Sequence, residues 1–193
     1  MMAEEEPGQA PDEAAPKRVK RDAAGERLFS AQAVHLTRTA QINTLTLSQM
    51  ADQKASILIG ATFVVFSLAV TRLLGSEITL STLCLAATAF LSSLFAVLAV
   101  IPALGKPPKD PALVNPLFFG HFAQMTTEEW TEDMLDQFCT DEALFRAMLK
   151  DIHQNGQVLY KRKYRFLTYA YRIFLGGLAI TMAVYFGEAI SAG

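Results

Sequence analysis

Apolar positions gather into three long runs separated by polar sequence. Seventeen residues from Ala55 to Thr71 carry no charge, and Arg72 ends the run. Twenty-eight uncharged residues follow from Ile78 to Gly105, and fifteen more from Ile173 to Gly187, closed by Glu188. A helix rises about 1.5 Å per residue, so about 20 apolar residues cross a hydrocarbon core of about 30 Å. The pattern therefore predicts transmembrane helices at 55–74, 80–103 and 172–190. Long polar sequence precedes the first run, which places it too deep for a cleaved signal peptide.

The polar sequence predicts three further regions. Residues 1–25 are rich in Ala, Pro, Glu, Asp and Gly and cannot bury a core, so they form a disordered arm. Residues 26–54 read as a modestly amphipathic helix running into the first span. Its expected face is Leu36, Ala40, Leu47, Met50 and Ala51, and the threonines at 37, 39, 44 and 46 weaken it. Residues 104–171 form a loop and helices. Prolines 107, 108, 111 and 116 forbid helix at their start. Thr126-Thr127-Glu128-Glu129 fits a capping box. A second helix begins near Thr140 or Asp141 and runs without proline into the third span, weakened only at Gly156. Phe145, Ile152, Leu159, Phe166, Ile173 and Ile180 recur every seven residues along it. Their companions Met148, Asn155, Arg162 and Tyr169 are mostly polar, so no coiled coil is established. The fold class expected is all-α: a polytopic membrane protein with three spans and a small helical module.

Charge sets the topology. The 193 residues are 51% hydrophobic and 19% charged, below the roughly 25% charge of a soluble domain. Seven Lys/Arg lie in residues 1–54 and eight in 104–171, while the connection at 75–79 and the tail after Glu188 have none. Basic residues stay cytoplasmic. The N-terminus and the 104–171 region are thus expected inside, and the C-terminus in the periplasm of an inner-membrane protein. With so little mass outside, the chain is no receptor for external ligands. Lys17, Arg18, Lys20 and Arg21 suit an arm attracted to anionic lipid better than a nuclear-import signal.

Candidate chemistry is sparse. The three histidines are scattered, and no phosphate loop, HExxH, Gly-x-Ser-x-Gly or paired-cysteine motif occurs. Neither catalysis nor a metal nor a nucleic-acid partner is expected. Cys84 lies in a span and Cys139 in a polar segment, so they are not expected to pair. Small residues four apart (Ala179, Ala183 and Gly187; Ala89 and Ser93; Ser92 and Ala96; Ala99 and Ala103; Ser56 and Gly60) favour close helix packing and a homo-oligomer. Two stretches have both a plain and a ligand-binding reading. Phe118, Phe119 and Phe122 either pack at the bilayer interface or offer a stacking face for a base. The strip Lys161–Arg165 either sets topology and pairs with the acidic helix at 128–142, or holds a phosphate.

Several stretches together resemble the Pycsar membrane effectors, partners of bacterial pyrimidine cyclases in anti-phage defence. They are Asp52-x-Lys54-Ala55, Leu117-Phe118-Phe119-Gly120-x-Phe122, Asp151-Ile152-x-x-x-Gly156-x-x-Leu159, Lys163-Tyr164-x-x-Leu167-x-x-x-Tyr171, Phe174 and Gly177. The resemblance runs from Asp52 to about Tyr185. It implies a cyclic pyrimidine mononucleotide (cUMP or cCMP) as activating ligand, made by a neighbouring cyclase, with no other cofactor. It also implies loss of inner-membrane integrity as the output, hence abortive infection. Side-chain chemistry then nominates Lys163, Tyr164 and Arg165, with Asn115, Phe118, Phe119 and His121, and with Asp52 and Lys54, as the ligand site. Lys163 is expected to hold the phosphate. A membrane adaptor and a ligand-independent, holin-like pore former are the other classes open to this sequence.

Overall fold

The computed structural model describes residues 20, 21, 23, 25, 27–75, 78–102 and 114–192. Its helices are α1 (Ala33–Gly75), α2 (Leu80–Val100), α3 (Phe119–Phe122), α4 (Thr127–Gln137), α5 (Asp141–Val158) and α6 (Arg165–Ala192), with a π-helical segment at Leu159–Tyr164 between the last two. No strand occurs among the described residues. Three helical stretches are long and apolar enough to cross a membrane: α1, α2 and the continuous run through α5 and α6. Residues 1–19 of the expected arm and the linker prolines 107, 108 and 111 lie outside the described residues.

The polar helix and the first span are one helix, about 65 Å long at 1.5 Å per residue. It starts at Ala33 rather than near 26. The Ala33 N–H donates to the Ser30 carbonyl at 2.8 Å, and the chain before it docks sideways on α5. There Phe29 lies 4.7 Å from the Phe145 ring centre, and Arg27 pairs with Glu142 at 3.8 Å. The packing face of α1 is only partly the one expected, keeping Ala40 and Ala51. Leu36, Leu47 and Met50 are exposed; the inward positions are Thr37, Ala51 and Ala55, with Ala40, Gln41, Thr44 and Ser48 half-buried. Hydroxyl back-bonding makes this polar face compatible with helix: Thr37, Thr39 and Thr44 each donate to the carbonyl four residues earlier, at 2.8–2.9 Å.

Small side chains let the spans approach closely. On α1 the buried positions are Ala51, Ala55, Leu58, Thr62 and Ala69, a 4-3-4-7 spacing that keeps one stripe inward. On α2, Ala89, Ser92, Ala96 and Ala99 are buried. Helix α2 packs along both α1 and α6, which touch each other mainly near the module. There Ala51, Ala55, Ala99, Leu159 and Leu167 form one cluster, and Leu58, Ala96 and Ala170 the next. Ser92 Oγ donates to the Ala170 carbonyl at 2.9 Å, linking α2 to α6 in a region without water. At the far end Glu188 accepts from the Leu80 and Ser81 N–H groups (2.8 and 3.3 Å) and caps α2.

The heptad on α5 does not continue into α6. Inward positions run Phe145, Met148, Ile152, Asn155 and Leu159, then Lys163, Leu167, Ala170, Phe174, Gly177 and Thr181. The steps are 3-4-3-4, then 4-4, then 3-4-3-4, so one extra residue enters between Leu159 and Leu167. The π segment absorbs it. Phe166 and Ile173 consequently roll to half-buried positions and Ile180 turns outward. The interruption falls at 159–164, not at Gly156.

Candidate functional site

The nominated residues do not converge. They fall into three places. The first is the inward turn of the π segment. Because the extra residue rotates Lys163 toward α1, its Nζ donates to both Asp52 oxygens (2.7 and 2.6 Å) and to Ser48 Oγ (2.8 Å). The expected pairing of the basic strip with the acidic helix is therefore corrected. Among the described residues no ion pair joins the strip to α4, which buries no residue, while Lys161 donates to Gln157 at 3.1 Å.

The second place is the loop before α4, held against α5. Asn115 is fully buried. Its Oδ1 accepts from the Leu117 N–H (3.0 Å), its Nδ2 donates to Gln154 (3.1 Å), and its backbone N–H donates to His121 Nδ1 (3.0 Å). That last bond fixes Nδ1 as the unprotonated nitrogen. Burial, then the neighbouring Lys150 charge, hold His121 below the ordinary histidine value. Lys150 itself donates to the Val114 carbonyl at 2.8 Å. Phe118 stands edge-on to His121 at 5.0 Å, Phe119 stands edge-on to Phe122, and Phe122 packs at a tilt against Trp130. The Trp130 indole N–H donates to the Pro116 carbonyl at 2.8 Å. The aromatics thus pack among themselves, although Phe119 stays largely exposed.

The third place is the outward face of the π segment and α6, where Tyr164 and Arg165 lie with Lys161, Thr168, Tyr169 and Arg172 along one groove. Lys54 and Tyr164 share a neighbouring groove with Tyr171 and Arg172.

A cleft that sequence reasoning missed lies between α1 and α5. It has a volume of about 310 Å³ and is lined by Arg38, Gln41, Ile42, Thr44, Leu45, Asp151, Ile152 and Asn155. Asp151 is its chemical centre. Burial pushes this carboxyl above the ordinary carboxylate range, against hydrogen bonds from the Asn155, Gln41 and Asn115 side chains. The Asn155 Nδ2 bond measures 2.9 Å. Asn115 thereby joins the loop to the cleft. The cleft combines a guanidinium, a carboxylate, two amides and aliphatic walls, which suits a small flat polar ligand with one negative charge. One signal was present in the sequence: Asn155 is polar at an inward heptad position, where packing alone would favour an apolar residue. Arg38 and Gln41 carried none, because α1 was read on another face. Among the described residues, no group of His, Cys, Asp and Glu is placed to hold a metal ion.

Of the small-residue positions, Ala89, Ser92, Ala96 and Ala99 are spent inside the protomer. Ala179, Ala183 and Gly187 face outward from it, as do Ser56 and Gly60. Cys84 and Cys139 are free thiols.

Comparison with known proteins completes the picture. No curated protein and no solved structure matches this chain. The family described as PycTM, Pycsar effector protein domain, matches residues 35–187. That interval holds the second span, nearly all of α1 and α6, the π segment and all three groups of nominated residues. Its members are transmembrane effectors and not known enzymes. The chain belongs to the Pycsar effector family, and with it to the Pycsar anti-phage system.

Proposed function

We propose that this membrane protein senses a cyclic pyrimidine mononucleotide, cUMP or cCMP, in the α1–α5 cleft and answers by breaching the bacterial inner membrane. Cell death then ends the infection. In this reading the module and N-terminus are cytoplasmic, the C-terminus is periplasmic, and a neighbouring cyclase makes the ligand. The observation that carries the proposal is Asp151: a partly buried carboxylate, surrounded by amides and facing a cleft, on the helix that continues into the membrane. A carboxyl perturbed by burial and facing a cleft is a functional-site candidate with a physical rationale.

The chemistry divides as follows. Arg38 offers its fork to the cyclic phosphate. Gln41, Asn155 and Asp151 supply the donors and acceptors that a pyrimidine edge requires. Lys163, engaged by Asp52 and Ser48, acts as the tie between α1 and the π segment instead of a phosphate ligand. A nucleotide wedged between α1 and α5 shifts the protein only as far as it prefers the active arrangement. That preference acts on the π segment, where α5 hands over to α6. The outward face of Ala179, Ala183 and Gly187 then serves assembly with further copies. A ligand-independent pore former lacks any need for this cleft, and an adaptor lacks toxicity.

The test is titration of detergent-purified protein with cUMP, cCMP and cAMP. A charged hydrogen bond contributes about 1.5–3 kcal/mol, so Arg38→Ala should weaken pyrimidine binding roughly tenfold to a hundredfold. Asp151→Asn should also lose binding while folding at least as stably, because the buried charge opposes folding at neutral pH. Unchanged affinity in both variants overturns the assignment.

A further inference from the structure

Cations also gather at the rim where α1 and α6 leave the membrane toward the module. Lys54 closes the polar half of α1, one residue before the uncharged run. Arg172 closes the polar half of α6 in the same way. The two side chains flank a groove of about 470 Å³ walled by Tyr164, Leu167, Tyr171 and Leu175. Tyr171 Oη donates to the Lys54 carbonyl at 3.3 Å and ties the walls together. The groove is continuous with a second one of about 390 Å³, across Tyr164, Thr168 and Arg172, that adds Lys161 and Arg165.

Three features distinguish this place from a general basic belt. First, among the described residues no carboxylate lies within ion-pair distance of Lys54, Arg165 or Arg172. The ion pairs found there join Arg27 and Arg146 to Glu142, and Lys163 to Asp52. Second, the groove runs along one face of the π segment and α6, with Lys54 of α1 at its edge, buried Leu167 behind it and exposed Leu175 continuing into the uncharged run. A soluble ligand has no use for that apolar continuation; an acyl chain does. Third, Arg172 directly follows Tyr171, which packs against the cluster of Leu58, Ala96 and Ala170. The long arginine side chain must reach back toward the rim, where it meets the groove.

We propose that this groove is a site for an anionic phospholipid: the phosphate held between Lys54 and Arg172, and an acyl chain lying along Leu175. The adjoining groove, with Lys161 and Arg165, suits the second phosphate of a diphosphatidylglycerol. Basic pockets between spanning helices bind such headgroups. The site lies beside the region where α1 and α6 meet, next to the Lys163–Asp52 tie, so an occupying lipid clamps the two helices together. It is separate from the α1–α5 cleft and needs neither the nucleotide nor a particular orientation in the membrane.

The test uses full-length protein in a neutral detergent, titrated with cardiolipin, phosphatidylglycerol or phosphatidylcholine. The readouts are retained lipid phosphorus after gel filtration and thermal stability. Wild type should retain anionic lipid and gain stability from it, with cardiolipin ahead of phosphatidylglycerol and no gain from phosphatidylcholine. Each cation is worth about a kilocalorie at an anionic surface, so the double change Lys54→Gln/Arg172→Gln should weaken retention by roughly tenfold or more. Lys54→Arg/Arg172→Lys should keep it, which guards against a variant that merely misfolds. Arg162→Gln, one residue from the grooves' lining, and Arg38→Gln, in the cleft, should bind lipid as wild type does. Equal retention by the double variant, equal stabilisation by phosphatidylcholine, or an equal loss in Arg162→Gln overturns the proposal. Displacement of the lipid by cUMP or cCMP overturns it too, by making the groove the nucleotide site.

Discussion

Gly177 is the position at which a single added carbon should do the most damage. A Cβ built there falls inside van der Waals contact with Thr88 Cγ2 and Oγ1 on α2, and 2.7 Å from Thr88 Cβ. Ordinary carbon contacts need about 3.5–4.0 Å, so the shortfall at Thr88 Cβ is roughly 1 Å. Turning the Thr88 rotamer cannot relieve it, because Cβ does not move with χ1. The helices must separate instead, along the interface that also carries Ser92–Ala170. Overpacking of this kind costs about 1–3 kcal/mol, and three close atoms place it near the upper end. Alanine returns up to about 1 kcal/mol of helix propensity. The net expectation for Gly177→Ala is a loss of about 2 kcal/mol, or roughly thirtyfold in the folding equilibrium. Gly176 supplies the control, since a Cβ there meets nothing within 4 Å. Gly176→Ala should be neutral or slightly stabilising. The assay is reversible unfolding in mixed micelles, followed by circular dichroism, with Thr88→Ala/Gly177→Ala tested for rescue. If Gly177→Ala matches Gly176→Ala in stability, α2 and α6 are not packed as described.

Two further expectations follow from the polar contacts. His121 has its pKa lowered by burial and by Lys150, so its contribution to stability is full above the ordinary value of 6.5 and is lost as pH falls below it. Melting temperature should therefore drop between pH 7.5 and 5.5, and His121→Gln should flatten the slope; measuring both in an Asp151→Asn background silences the carboxyl, whose raised pKa gives the opposite slope. An unchanged slope in His121→Gln removes the buried neutral imidazole from the account. Lys163→Ala should cost about 1 kcal/mol, the scale of a partly exposed ion pair, and should leave nucleotide affinity intact; the swap Asp52→Lys/Lys163→Asp should recover most of the stability, and a swap no better than the single change refutes the tie.

Some of this protein was decided by its sequence alone. Uncharged runs of sufficient length demand membrane helices, because an unsatisfied backbone has no partner in hydrocarbon. Three such runs, and polar sequence unable to form a strand pattern, determine the all-α class. The Thr126 capping box was equally legible, since it depends on residues three apart, and so was a helix start near Thr140. The family could be read for the same reason: its pattern is local spacing. What the tertiary structure decided is register. The face that α1 presents is set by small and hydroxyl side chains that permit close approach, and a hydropathy period gives those little weight. The single extra residue in the α5–α6 run is invisible to a seven-residue count, because Phe166, Ile173 and Ile180 continue the count after the true seam has moved. That one residue turns Lys163 from a free cation into the partner of Asp52. Asp151, Gln41 and Arg38 meet only because α1 and α5 lie side by side, 110 or more residues apart in sequence. Spacing within a helix is a short-range property of the chain; which faces meet depends on the packing of the whole.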